Sequence, residues 1–433
     1  MLIPEWLMTL PIDKPPFTVV ITIVAAVGMA AIVLRSTSKK QAIALVISAV
    51  AGATIGWILA WLVSDVFDVF GLPLTLVTRI WITLATVGVC VAVVSIWRAR
   101  WWRVVVAIVC IPVFVLTSAV WINVDFGAYR NVKDALGIDP YPALVFGSQT
   151  GNTAPADPHL AEDWHPPASM PTQGIIGTVD IPATVSHFSA RPAEIYLPPA
   201  ARVSHPPILP VIEMFSGQPG SPIDIFETAR FGVFLNAYAA QHHGLAPIVV
   251  VPDQLGTPEH NPMCVDSPLG NSATYLTVDV PKWITTHLRV GSTPASWAIG
   301  GYSQGGTCSM QFGAGDSKRF GSILDISGEL APTIGASTIA TGFGGSQAAY
   351  EAAKPLNLLK KNAPYPDTFA FFGVGATDTR YGPGLKMTQA AAARAGMSTE
   401  LVVSPGSGHD WNTVRYVLKR AVSPMASHLG LAP

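Results

Sequence analysis

Apolar positions divide the chain into two regions. Four almost uninterrupted apolar stretches occupy the first 123 residues, at 17–34, 41–63, 80–97 and 104–122. Each reaches or approaches the ~20 helical residues needed to cross a bilayer core of about 30 Å. A cleaved signal peptide would show one short apolar core and then soluble sequence, whereas here further apolar stretches follow at once. The pattern therefore predicts a retained bundle of four transmembrane helices over residues 1–123.

Beyond Asn123 the pattern changes. Residues 124–176 sustain no period and are rich in Pro, Gly, Asp and Ala, which reads as a spacer. From Gly177 onward, short β-type runs alternate with helical ones. The predicted strands are 177–181, 193–197, 208–215, 247–252, 296–300, 321–326, 368–374 and 399–403; the predicted helices are 228–241, 275–287, 304–313, 387–395 and 411–421. Continuous apolar runs such as Ile248 to Val251 fit strands buried on both faces of a parallel sheet. The alternation predicts an α/β domain over residues 177–433, with helices flanking a mainly parallel sheet.

Composition sharpens this division. Charged residues make up only 12% of the 433, and mean hydropathy is +0.41, with the apolar excess lying before Asn123. Net charge is −1 and no Lys/Arg run exceeds a pair, which argues against nucleic acid as a partner. Basic residues are retained on the cytoplasmic side of a membrane. Arg35, Lys39 and Lys40 lie between the first two stretches and Arg98, Arg100 and Arg103 between the last two, whereas the middle connection holds Asp65, Asp68 and a single Arg79. This pattern predicts that both ends of the bundle, and everything after Asn123, lie outside the cytoplasm. No stretch has an acid, a base or a histidine in its middle, which argues against an ion or proton path. The bundle reads as an anchor, with lipid access or partner docking as the alternative.

The sharpest chemical signal is Gly301-Tyr302-Ser303-Gln304-Gly305, a G-x-S-x-G match between an apolar strand and a helix. With 38 glycines in the chain the pentapeptide alone is weak evidence, and its strand-to-helix context is what counts. A serine hydroxyl needs a histidine base and an orienting carboxylate, expected in the order Ser, Asp/Glu, His. Only His409 and His428 follow Ser303, and His409, in a loop between the last strand and the last helix, is the better placed base. Asp378 follows the strand FAFFGVG and is the chosen carboxylate; the alternatives are that it is a turn residue, or that Asp325 or Glu329 takes the role. Asp410, adjacent to His409, reads as a helix cap. Two backbone N–H groups are needed for a developing oxyanion: those of Gln304, immediately after the nucleophile, and Gln218, in the loop Ser216-Gly217-Gln218-Pro219-Gly220.

The four cysteines are too far apart for a zinc or iron–sulfur set, and no metal or other cofactor is implied; His242-His243 reads as a surface pair. Cys264 and Cys308 both fall outside the membrane on this topology and form a candidate disulfide, with two buried thiols as the alternative. Cys90 and Cys110 lie within spans and read as packing residues.

Several blocks of the second region together resemble the esterase D-like putative esterase family, which includes feruloyl esterases and the mycolyltransferases of actinobacterial cell walls. They are ARPAEIYLPP, VIEMFSGQPG, APIVVVPDQ, LTVDVPKWITTHLRV, WAIGGYSQGGTCSMQFG and SILDISGEL, in order between about Ser189 and His409. The resemblance implies an α/β-hydrolase fold, a triad of Ser303, Asp378 and His409, and oxyanion donors at Gln218 and Gln304. Ser216-Gly217 stands where many relatives carry His-Gly or Asp-Gly. The N-terminal helices resemble multi-pass versions found in corynebacteria and their relatives.

Two functions follow as expectations. The first is a membrane-anchored, extracytoplasmic esterase or acyltransferase acting on a lipid or glycolipid ester of the cell envelope, such as an acyl trehalose. The second is a non-catalytic hydrolase-fold module that binds or scaffolds.

Overall fold

A computed structural model describes residues 4–34, 38–97, 99–146, 153–155, 157 and 159–431. Arg35 and Arg98, invoked above for orientation, lie outside the described residues, as does part of the expected spacer. The chain forms two compact units, Met1–Asp139 and Pro140–Pro433.

In the first unit the apolar stretches form helices α1 (Phe17–Val33), α2 (Lys39–Trp61), α3 (Leu76–Ser95) and α4 (Trp101–Phe126). A wider helical turn, Leu62–Val66, prolongs α2. Three of these helices, Lys39–Val66, Leu76–Ser95 and Trp101–Phe126, are long and apolar enough to cross a membrane. With 17 residues, α1 spans only about 26 Å at ~1.5 Å per residue, short of a bilayer core. Side chains facing outward are apolar, and close packing inside relies on small residues. A β-carbon on Gly52 would lie 2.8 Å from the Val87 Cα, and one on Gly56 2.7 Å from the Thr83 Cα, so this pair, spaced four apart, lets α2 lie directly against α3.

The second unit is built on an eight-stranded sheet. Its strands are β1 (Ile175–Val179), β2 (Ala193–Leu197), β3 (Val211–Phe215), β4 (Ile248–Val251), β5 (Trp297–Tyr302), β6 (Ser322–Ile326), β7 (Phe369–Gly375) and β8 (Ser398–Ser404). Their order is β1-β2-β4-β3-β5-β6-β7-β8. β2 runs antiparallel to both β1 and β4, and the remaining pairs are parallel. All eight predicted strands are present, and β3 to β7 are buried along their whole length, as their largely apolar runs require, with Glu213 in β3 and Asp325 in β6 buried among them.

Helices cover both faces: α5 (Phe231–Gln241), α6 (Val280–His287), α7 (Gln304–Gly315), α8 (Gln347–Ala353), α9 (Pro355–Asn362), α10 (Gly382–Arg394) and α11 (Trp411–His428). A β-carbon on Gly313 of α7 would press on Ile299 and Ile323, whereas one on Gly373 of β7 would press on Val417 of α11. Ile299 pairs with Ile323 and Ile326 with Gly373, so side-chain alternation puts α7 and α11 on opposite faces. This is the doubly covered α/β arrangement expected of an α/β-hydrolase. Tyr141, Leu144 and Phe146, in the expected spacer, pack on the core, and Leu144 N–H donates to the carbonyl of Thr178 in β1.

Candidate active site

Parallel strands gather their carboxyl ends along one edge, and the loops leaving them hold the site. Ser303 occupies the one-residue turn between β5 and α7 with φ 57° and ψ −118°, a strained conformation for a residue with a β-carbon. The turn is possible because Gly301 and Gly305, two residues to either side, lack side chains. A β-carbon on Gly301 would sit 2.2 Å from the carbonyl of Gly305, and one on Gly305 2.3 Å from the carbonyl oxygen of Ser216. Ser303 N–H donates to the Ile326 carbonyl (2.8 Å), tying the turn to the end of β6.

Asp378 leaves the end of β7, and His409 lies in the loop between β8 and α11. The structure brings both to Ser303. His409 Nε2 lies 2.8 Å from Ser303 Oγ, and Nδ1 lies 3.1 Å from Asp378 Oδ2. The other carboxylate oxygen of Asp378 accepts from Tyr381 N–H (2.9 Å). Burial works against ionisation of Asp378, but the hydrogen bond and charge of His409 and the N–H groups of Tyr381 and Gly382 outweigh it and hold the carboxyl below its ordinary range. An ionised carboxylate can only accept, which places the imidazole proton on Nδ1 and leaves Nε2 free to accept from the Ser303 hydroxyl.

The other sequence candidates go elsewhere. Asp410 caps α11 by accepting from Thr413 N–H (3.0 Å) and also takes Gly408 N–H (2.8 Å), which shapes the histidine loop. His428 stacks on Phe369, at the start of β7 and far along the strand from its carboxyl end. Burial raises Asp325 to about 7 against a hydrogen bond from Gly328 N–H, and raises Glu329 to about 7 against the charge of Arg380. Neither has a hydrogen bond to His409 among the described residues.

The loop at Gln218 flanks the serine. A β-carbon on Gly217 would meet the Tyr302 ring at 3.1 Å and the Ser303 β-carbon at 3.5 Å. Gln304 opens α7, so its N–H has no intrahelical acceptor and sits at the positive end of the helix dipole. Cys264 and Cys308 form a disulfide with Cα atoms 5.6 Å apart, joining the loop after β4 to the second turn of α7.

Three residues near the site had no signal in the sequence reading. Tyr302 and Tyr381 place their rings 5.0 and 4.4 Å from that of His409, flanking the imidazole. Gln254, fully buried, donates to the Ser216 carbonyl.

Residues 189–416 match the family described as "Putative esterase". The chain is 30% identical to an uncharacterized protein of Corynebacterium glutamicum over 443 aligned positions, 99% of each chain, so that likeness runs through both units. A solved ferulic acid esterase is similar at 16% identity and a TM-score of 0.50, covering 59% of this chain and 98% of that one. An S-formylglutathione hydrolase from Agrobacterium tumefaciens has 19% identity and a TM-score of 0.49, with 60% and 97% covered. At 16% identity, the likeness to the ferulic acid esterase concerns the fold alone.

Proposed function

This chain belongs to the putative esterase family, and from the arrangement of its site we propose a membrane-anchored serine esterase or acyltransferase that works through an acyl-enzyme outside the cytoplasmic membrane. The observation that carries the proposal is the placement of His409, with one ring nitrogen at Ser303 Oγ and the other at Asp378.

In this reading Ser303 Oγ attacks the carbonyl carbon of an ester while Nε2 of His409 takes the hydroxyl proton. Asp378 keeps the imidazole in the required tautomer and stabilises the imidazolium that forms. The negative charge that develops on the carbonyl oxygen is met by the N–H groups of Gln218 and Gln304, reinforced by the α7 dipole. Collapse of the adduct breaks the ester C–O bond, and His409 returns its proton to the departing alcohol. Water or an acceptor hydroxyl then attacks the acyl carbon and gives its proton to His409; the bond from that carbon to Ser303 Oγ breaks, and Oγ takes the proton back as the acid or new ester leaves.

The helical unit supplies the anchor. With Lys39, Lys40, Arg100 and Arg103 on the cytoplasmic side, the hydrolase unit would lie outside, an orientation that needs only the three long helices, whether or not the shorter α1 also crosses. The Cys264–Cys308 disulfide supports a compartment in which disulfides persist. An enzyme tethered there meets lipid and glycolipid esters of the cell envelope, and an acylated sugar such as an acyl trehalose is the substrate class proposed.

Pre-steady-state turnover of p-nitrophenyl butyrate by the detergent-solubilised full chain tests the mechanism. The expected record is a burst of p-nitrophenol stoichiometric with enzyme, followed by a slower steady state that trehalose accelerates if the sugar is an acceptor. Folded protein that releases no p-nitrophenol would contradict the proposal and favour a binding module.

A further inference from the structure

The two sides of the proposed oxyanion site come from segments far apart in sequence, the Ser216–Gly220 loop and the start of α7. One buried side chain touches both. Gln254, just beyond the end of β4, has no exposed surface. Its Nε2 donates to the Ser216 carbonyl (2.7 Å) and to Gln304 Oε1 (3.2 Å). The Gln304 amide in turn donates to Asn261 Oδ1 (3.1 Å) and approaches Cys264 Sγ (3.7 Å).

The direction of this chain of amides is fixed at both ends. At one end the Ser216 carbonyl can only accept, so it must face Gln254 Nε2 rather than Oε1. At the other, Asn261 Oδ1 accepts from Met263 N–H (2.9 Å) and Asn261 Nδ2 donates to the Thr333 carbonyl (3.1 Å), so only an N–H of Gln304 can point at Asn261. This turns Gln304 Oε1 back to Gln254. No amide in the chain can flip without setting two acceptors against each other.

The donor side of Gln254 is retained despite a cost on the other side. Its Oε1 is buried and has no hydrogen-bond partner among the described residues, a loss that an apolar side chain of the same length would avoid. The peptide unit that carries the Ser216 carbonyl also carries the Gly217 N–H and is planar, so holding the carbonyl fixes the start of the loop; the Gln218 N–H lies one peptide unit further on, across the two dihedrals of Gly217. The far end of the loop is held from the residue next to Gln254: Asp253 pairs with Arg191 (2.7 Å), and Arg191 Nη2 donates to the Gly220 carbonyl (2.9 Å).

We propose that Gln254 is a positioning residue that keeps the Ser216–Gly220 loop and Gln304 in the relative placement an oxyanion requires. The inference rests on the reading of Ser303 as nucleophile and of Gln218 and Gln304 as donors. Gln254 touches no reacting atom and acts through the two donors.

The variant Gln254→Met keeps length and volume while removing the donor. Three quantities are compared with wild type: kcat and KM on p-nitrophenyl butyrate, inhibition by an alkyl boronic acid that forms a tetrahedral adduct on the serine, and the thermal midpoint. A displaced oxyanion site lowers kcat by about tenfold or more, leaves KM within about twofold, and weakens the boronate by the same factor as kcat, less than the ~10²–10³ for outright loss of a donor. A folded Gln254→Met protein with kcat and boronate affinity within about twofold of wild type overturns the inference. Gln304→Met breaks the same chain one link on and is read the same way if the first variant does not fold. Wild type that fails to react with a fluorophosphonate overturns the parent reading of Ser303, and this inference with it.

Discussion

Asp378 and His409 meet across 31 positions of sequence, Oδ2 to Nδ1 at 3.1 Å, while the second oxygen of Asp378 is taken by the N–H of Tyr381. A carboxylate held on both sides cannot turn away from the imidazole, so the Nδ1–H tautomer is built into the resting site. Asp378→Asn presents an amide that favours the other tautomer and occupies Nε2 with a proton. The expected result is a fall in kcat of about 10³–10⁴-fold with little change in thermal midpoint, measured on p-nitrophenyl butyrate.

The tight turn at Ser303 makes a steric prediction. Gly301→Ala drives a β-carbon to 2.2 Å from backbone atoms of Gly305, which belong to α7 and cannot swing aside like a side chain. The variant is expected to lose about 3 kcal/mol or more of stability, visible in urea unfolding. Wild-type stability in Gly301→Ala would mean that the turn is not as close as described.

The pH dependence of stability isolates Asp325. Burial raises its folded-state pKa to about 7 against the Gly328 N–H. The unfolded carboxyl titrates near ~4. Between those values the folded chain holds a proton that the unfolded chain has lost, so this group's contribution is fully present below about pH 4 and is lost as pH rises towards 7. Asp325→Asn keeps an oxygen for Gly328 and removes the titration. Its thermal midpoint relative to wild type should therefore rise between pH 5 and pH 8; a constant difference contradicts the assignment.

Removing the disulfide tests its structural share. Closing a loop whose ends are 44 residues apart restricts the unfolded chain by about 4 kcal/mol on the chain-entropy estimate. Cys264→Ala with Cys308→Ala, or wild type in reductant, should lose a comparable amount in urea unfolding. Equal stability with and without reductant would remove the disulfide from the account.

Legibility followed how local each signal is. The central strands could be read because they are short, mostly apolar runs buried on both faces, and the outer ones because a few β-branched or aromatic residues stand between turn signals. Helices α8 and α9 could not: α8 buries none of its side chains and so carries no apolar stripe, and α9, opened by Pro355, is only eight residues long. Helix α10 starts five residues before the predicted position 387, because Gly382-Pro383-Gly384 reads as a turn although Pro is well accommodated in a first helical turn. The last helix continues through Pro424 to His428, beyond the expected end at Ala421. Ser303, Asp378 and His409 could be named because each sits at a strand end in a fixed chain order. Tyr302, Tyr381 and Gln254 could not be singled out, because their importance lies in contacts between segments that no spacing records.

The chemistry of the site depends on Ser303 being an activated nucleophile. The most direct measurement is covalent labelling of the full-length chain by a fluorophosphonate probe, with the modified peptide located by mass spectrometry and compared across wild type, Ser303→Ala and His409→Ala. The account predicts rapid labelling of wild type at Ser303, none in Ser303→Ala, and loss of the rapid reaction in His409→Ala. Folded wild type that stays unlabelled, or that is labelled equally well without His409, would contradict it.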